Sequence, residues 1–315
     1  MKYNTYQLIS SAYLKGPRHW ILHTISLFFL VVALSNSSMA QPFFSAESHL
    51  DTTLKKLDFK GKSTNITGIS SWLENHKSSP MYLVNFIKFT SSDSGDSQEI
   101  QRIHHSKMKR ILKGIGGRFH SVLQTQMTFD STTGDEWDLI EVVYLPRRNL
   151  LPSLINTAEY TQTRNDRASS ILEVQSYLIE DADEDNPFDE RQDDPMKQEF
   201  YMVNLNEYRD FADYGEGPTD VTGWEANQLY MSLITPMLNE ISAQFILAGS
   251  VVPVFTDENT PLWQILAVIR YPSESEFYTT VSSPEFQEAI VNKWAAIKNN
   301  STTMTQKMPK NRHEH

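Results

Sequence analysis

The sequence predicts an α+β fold: two tandem ferredoxin-like units, each running strand, helix, strand, strand, helix, strand, packed sheet to sheet within one chain. Three observations predict it: an internal repeat, strands that are apolar without alternation, and helical periodicity after the first strand of each copy. Met81-Tyr82-Leu83-Val84-Asn85-Phe86 recurs as Phe200-Tyr201-Met202-Val203-Asn204-Leu205, an offset of 201 minus 82, or 119. Further along the offset is 126, matching Leu112 to Leu238, Phe119 to Phe245, Trp137 to Trp263, Pro146 to Pro272 and Glu159 to Glu285. The 7 extra residues fit one insertion, the loop Asp213-Tyr214-Gly215-Glu216-Gly217-Pro218 of the second copy. A fixed period of this kind is the mark of a repeated unit.

The elements follow in order. Residues 81–89 are β-rich and bounded by Pro80 and a Ser/Asp/Gly cluster, which reads as a strand. Ile100, Ile103, His104, Met108, Ile111, Leu112 and Ile115 recur at helical spacing, and Gly116-Gly117 ends that helix. Strands are expected at 118–127 and 137–144 around a turn at Thr133-Gly134-Asp135, then helical structure over 149–170 and a strand at 172–179. In the second copy Ala226, Leu229, Tyr230, Leu233, Ile234, Met237, Leu238 and Ile241 give the helix. Strands at 244–254 and 263–270 flank a turn at Asp257-Glu258-Asn259, and helical structure covers 274–298. The last strand, 301–307, is polar and weakly marked.

Residues 81–89 and 265–269 are apolar at almost every position, so both faces of those strands should be buried. Helices cover one face, and the sheet of the other copy is the simplest cover for the other. This predicts an intramolecular pseudo-dimer that is monomeric as a chain.

The chain has 315 residues and a formal charge of −11. Residues 1–40 carry Lys15 and Arg18, an apolar run over 21–34, and Ser38-Met39-Ala40, the three zones of a cleaved export signal. The run is shorter than a membrane span requires. The remaining divisions are a lead-in over 41–79, the first domain over 80–180, an acidic linker over 181–195 and the second domain over 196–315. Nine of the sixteen residues from Glu180 to Pro195 are Asp or Glu, so self-repulsion keeps that connector extended. A periplasmic or secreted location is expected, with no membrane contact in the mature form. An acidic chain repels phosphate backbones, so nucleic acid is not an expected partner. Cysteine is absent, which excludes disulfides and thiolate chemistry.

Tyr82-Leu83-Val84-Asn85-Phe86, Gly116-Gly117-Arg118, Trp137-Asp138 and Pro146-Arg147-Arg148 resemble a bacterial family of uncharacterised dimeric α+β barrel domains. The second copy carries Tyr201-Met202-Val203-Asn204-Leu205, Trp263, Tyr271-Pro272-Ser273 and Ser283-Pro284-Glu285-Phe286-Gln287. It departs from the pattern at Ser242-Ala243-Gln244, where the glycine pair is replaced, and at Glu274, where arginine is expected. The resemblance implies an intramolecular dimeric α+β barrel. It implies no single activity, since relatives of that family include cofactor-free monooxygenases, isomerases, haem enzymes and ligand binders.

Few polar residues interrupt the apolar elements. Asn85 and Asn204 sit in matching strand positions, and a buried amide must find partners in backbone or ligand. His104 and its counterpart Tyr230 lie on apolar helix faces, aimed at the sheet. These four are the candidate ligand-binding residues. Glu141, between Leu139 and Val143, is a candidate general base if burial raises its pKa, or else the partner of Arg118 or Lys88 in a salt bridge. His104 and His105 diverge by about 100° on a helix, which argues against one metal held by both. No cofactor or metal is implied. The expected function is binding of a small, largely apolar molecule between sheet and helices. The alternatives are a cofactor-independent oxygenase or isomerase, and a structural interaction module with a solid barrel.

Overall fold

The computed structural model describes residues 78–90, 95–131, 136–180, 199–255 (216 and 218 excepted) and 261–308, together with Leu73. The signal segment, the acidic linker, nearly all of the lead-in and the two turns expected near 133–135 and 257–259 lie outside the described residues.

Among the described residues eight strands and six α-helices succeed one another as β1 (Met81–Phe89), α1 (Gly95–Gly114), β2 (Arg118–Ser131), β3 (Leu139–Leu145), α2 (Leu150–Ile155), α3 (Ala158–Arg167), β4 (Ile171–Glu180), β5 (Phe200–Tyr208), α4 (Gly223–Glu240), β6 (Gln244–Phe255), β7 (Ile265–Tyr271), α5 (Glu274–Val281), α6 (Pro284–Ala296) and β8 (Ile297–Lys307). The strands close into one antiparallel barrel in the order β1-β3-β2-β8-β5-β7-β6-β4. The sheets therefore do more than stack. Edge strand β2 pairs with β8, and β4 pairs with β6, so backbone groups that two separate sheets would leave unpaired are satisfied.

Alternation along each strand sorts side chains between the barrel interior and the helical layers. In β1, Tyr82, Val84 and Phe86 point inward and join Ile140, Val142 and Tyr177 with Tyr201, Val203, Leu266 and Val268 in one core drawn from both halves. The other face of β1 sends Met81 and Leu83 against Met108 and Leu112 of α1, with Leu73 of the lead-in in the same layer. Phe200 and Met202 of β5 pack likewise under Tyr230, Ile234 and Leu238 of α4.

Each expected long helical segment after the third strand is two helices. Asn156-Thr157 separates α2 from α3, where the Thr157 hydroxyl caps α3, and Ser282-Ser283 separates α5 from α6, where Ser283 caps α6. The polar last strand is fully formed: Thr305 donates to the Tyr201 carbonyl at 3.0 Å and Thr302 to Asn204 Oδ1 at 3.1 Å, which pairs two of its buried hydroxyls. Leu229 and Leu233, expected on the buried face of α4, are instead exposed. Gly116 takes a left-handed φ of 78° at the end of α1, and Ser242 takes 58° at the corresponding end of α4.

Candidate functional site

The helical layer over β4, β1 and β3 is apolar except for one row. Asn85 of β1 is paired in register with Glu141 of β3 on one side and Ser176 of β4 on the other. Since neighbours in register share a face, all three side chains point toward α1 and α3. Ser176 Oγ donates to Asn85 Oδ1 at 2.7 Å, and Asn85 Nδ2 donates to Glu141 Oε2 at 3.5 Å.

Two helices lower more polar groups onto this row. From α1, His105 places Nε2 2.7 Å from Glu141 Oε1, and His104 places its Nε2 at 3.8 Å from the same oxygen. From α3, Arg167 Nη1 donates to Glu141 Oε1 at 3.0 Å. The Glu141 side chain is 2 % exposed, Arg167 11 % and His105 16 %, so His105 is the member nearest solvent.

Burial pushes the Glu141 carboxyl up. The charge of Arg167 and the hydrogen bond from His105 together outweigh it and hold the group far below the usual carboxylate range. Glu141 is thus an ionised acceptor, and the rise from burial on which the general-base expectation is conditional is outweighed by its neighbours. Its partner is Arg167, not Arg118 or Lys88: the Arg118 guanidinium lies 4.2 Å over the Tyr144 ring. Because an ionised carboxylate only accepts, His105 Nε2 must be the donor, and in the neutral ring Nδ1 is then the acceptor. His105 makes no other hydrogen bond among the described residues. Burial, then Arg167, lowers the His104 pKa to about 3, so that ring is neutral.

The second half holds a different set at the same places. Asn204 pairs in register with Ala267 and Thr302, and its amide is 3.5 Å from the Met202 carbonyl while its Oδ1 accepts from Thr302. Tyr230 is buried among apolar side chains, with the Phe286 ring centroid at 6.3 Å and Lys293 Nζ at 6.0 Å. Burial, then Tyr271, pushes its hydroxyl pKa well up. The candidates therefore divide: Asn85, His104 and Glu141 converge in one cluster, and Asn204 and Tyr230 lie in the opposite half.

Sequence reasoning missed Arg167, Ser176 and the role of His105. Tyr160, Thr163 and Arg167 recur at helical spacing on an otherwise polar helix, a signal that could have placed Arg167 over the sheet. The divergence of His104 and His105 does not prevent both rings from reaching one carboxylate oxygen beneath the helix. Among the described residues no group of three or more His, Cys, Asp or Glu could hold a metal ion, and no helix is long and apolar enough to cross a membrane.

No protein-family model and no curated protein matches the chain. Among solved structures it is similar to a protein of unknown function from Rhodopseudomonas palustris, at 22% identity over 36% of this chain and 83% of that one, with a TM-score of 0.32. It is also similar to a candidate monooxygenase from Lactobacillus acidophilus, at 13% identity over 73% and 94% of the two chains, with a TM-score of 0.41. A chlorite dismutase mutant from Candidatus Nitrospira defluvii, crystallised with cyanide, is similar at 10% identity over 76% and 95%, with a TM-score of 0.42.

Proposed function

We propose that this is an exported, two-copy dimeric α+β barrel protein whose first half binds a small, largely apolar molecule between its sheet and helices α1 and α3. The observation that carries the reading is the 2.7 Å bond from His105 to an ionised, buried Glu141 inside an otherwise apolar layer. An ion cluster is an expensive way to fill a core that Leu83, Val143 and Leu178 fill elsewhere. The second half does without it, having Ala267 in the place of Glu141. Leu83, Met108, Val143 and Leu178 supply apolar lining, and His105 Nδ1 supplies an acceptor for a ligand hydroxyl or amide. The two halves are read as tandem ferredoxin-like copies that have diverged, with Asn204 and Tyr230 left at the corresponding position of the second.

A second reading is favoured by the same bond. A histidine whose far nitrogen is held by a carboxylate is the arrangement of a general base with its orienting partner. A cofactor-independent oxygenase or isomerase would use His105 to take a proton from bound substrate, and Glu141 would stabilise the imidazolium. A solid interaction module is the third possibility.

The test is native mass spectrometry of the mature protein purified from the periplasm of its host, alongside the Glu141→Ala variant. A retained small molecule in the unaltered protein, lost in the variant, supports the reading. An unliganded protein that gives no thermal shift with any apolar hydroxyl compound supports the solid module and sinks both others.

A further inference from the structure

Gln101 lies one turn before His104 and His105 on the same face of α1 and is 2 % exposed. Among the described residues neither its Oε1 nor its Nε2 has a hydrogen-bond partner, and the buried Nε of Arg167 has none either. A buried amide without partners costs about 1–3 kcal/mol, so such a group marks a place where a partner arrives from outside.

The second half shows what an internally satisfied version looks like. Asn227 holds the corresponding place on α4, and its amide is engaged by the Tyr208 hydroxyl. Tyr208 stands at the end of β5 opposite Ile297, and the same register position at the end of β1, opposite Ile171, is held by Phe89. Phe89 has no hydroxyl. The first half thus lacks that internal partner, and glutamine, one methylene longer than asparagine, gives its amide a longer reach.

We infer that Gln101 reads a neutral edge with one donor beside one acceptor, of the carboxamide or lactam kind, on the ligand of the proposed site; this inference rests on that reading of the site. An amide presents one acceptor and one donor side by side, so the edge that satisfies both must be its complement. The charges of Glu141 and Arg167 offset each other at 3.0 Å, so an ionic ligand would bring a charge with no counterpart, and an uncharged one is favoured.

The test uses three probes on one ring system, naphthalene-2-carboxamide, 2-acetonaphthone and 2-naphthoate, with affinities read by ligand-observed NMR on the full chain and on Gln101→Leu. The carboxamide is expected to bind about tenfold tighter than the ketone, the value of one net buried hydrogen-bond pair, with naphthoate weakest. Gln101→Leu should abolish the preference, the carboxamide losing more affinity than the ketone. Gln101→Met serves the same purpose should the leucine variant not fold. Equal binding of carboxamide and ketone, tightest binding of naphthoate, or a preference that survives both substitutions would overturn the role of Gln101 while leaving the site standing. Binding of none of the three would remove the site itself.

Discussion

Replacing Arg167 with methionine keeps an unbranched apolar stem and removes the charge, leaving the buried Glu141 with its hydrogen bonds from His105 and Asn85. At 3.0 Å and an effective dielectric of about 20, the lost attraction is about 5 kcal/mol. Part of that is offset because a guanidinium no longer has to be desolvated, so the net cost should be about 3–5 kcal/mol, as for other buried pairs broken on one side. The carboxyl pKa then rises above its unfolded value, so the variant's deficit should shrink as pH is lowered and the group discharges. Urea unfolding, followed through the buried Trp137 and Trp263, measures both. Adding Glu141→Ala should recover at least 2 kcal/mol, because the ion left behind is gone. A single-variant cost under about 1 kcal/mol at pH 7, or a double variant as weak as the sum of its parts, would refute the claim that the pair is mutually dependent.

His104 and His120 are both buried with pKa values lowered, to about 3 and about 4. Below pH 6.5 the unfolded chain binds protons that the folded one does not, so stability should fall by about 3–4 kcal/mol between pH 7 and pH 5; His120→Ile, matching Ile246 of the second half, should halve that slope in urea titrations. A Cβ on Gly223 would sit 2.4 Å from the Arg209 carbonyl and 2.7 Å from that of Ala296, so Gly223→Ala should cost more than about 2 kcal/mol or prevent folding, read by thermal melting. Thr222 caps α4 in a reciprocal pair with Glu225, and Thr222→Ala should cost about 1 kcal/mol with no change in ligand affinity. A fragment of residues 78–180 would expose the inner core and two strand edges, and should sediment as a dimer or larger assembly instead of as a folded monomer.

Strands and helices were legible wherever burial governs composition: the nine residues of β1 and the apolar faces of α1 and α4 carry their own periodicity. β8 was not, because its threonines and serines are buried by pairing between β2 and β5, a context that local composition does not contain. The barrel was implied by the family resemblance and not by local composition, since edge pairing joins strands far apart in sequence. In the site, Asn85, His104 and Glu141 stood out as polar residues in apolar elements. Arg167 did not, because an arginine on a polar helix looks solvated until the tertiary fold turns it inward. Gln101 carries no sequence mark at all; its isolation is visible only beside Tyr208 and Phe89.

The most direct measurement is a titration of the 15N-labelled chain with 2-acetonaphthone, following imidazole and side-chain amide resonances of both halves. The shifts should appear at His105 and Asn85, with the His105 ring in the tautomer protonated at Nε2, and Asn204 and Asn227 should stay unmoved. Shifts at Asn204 and Asn227 with His105 silent would place binding in the wrong half and contradict the role given to the Glu141 cluster.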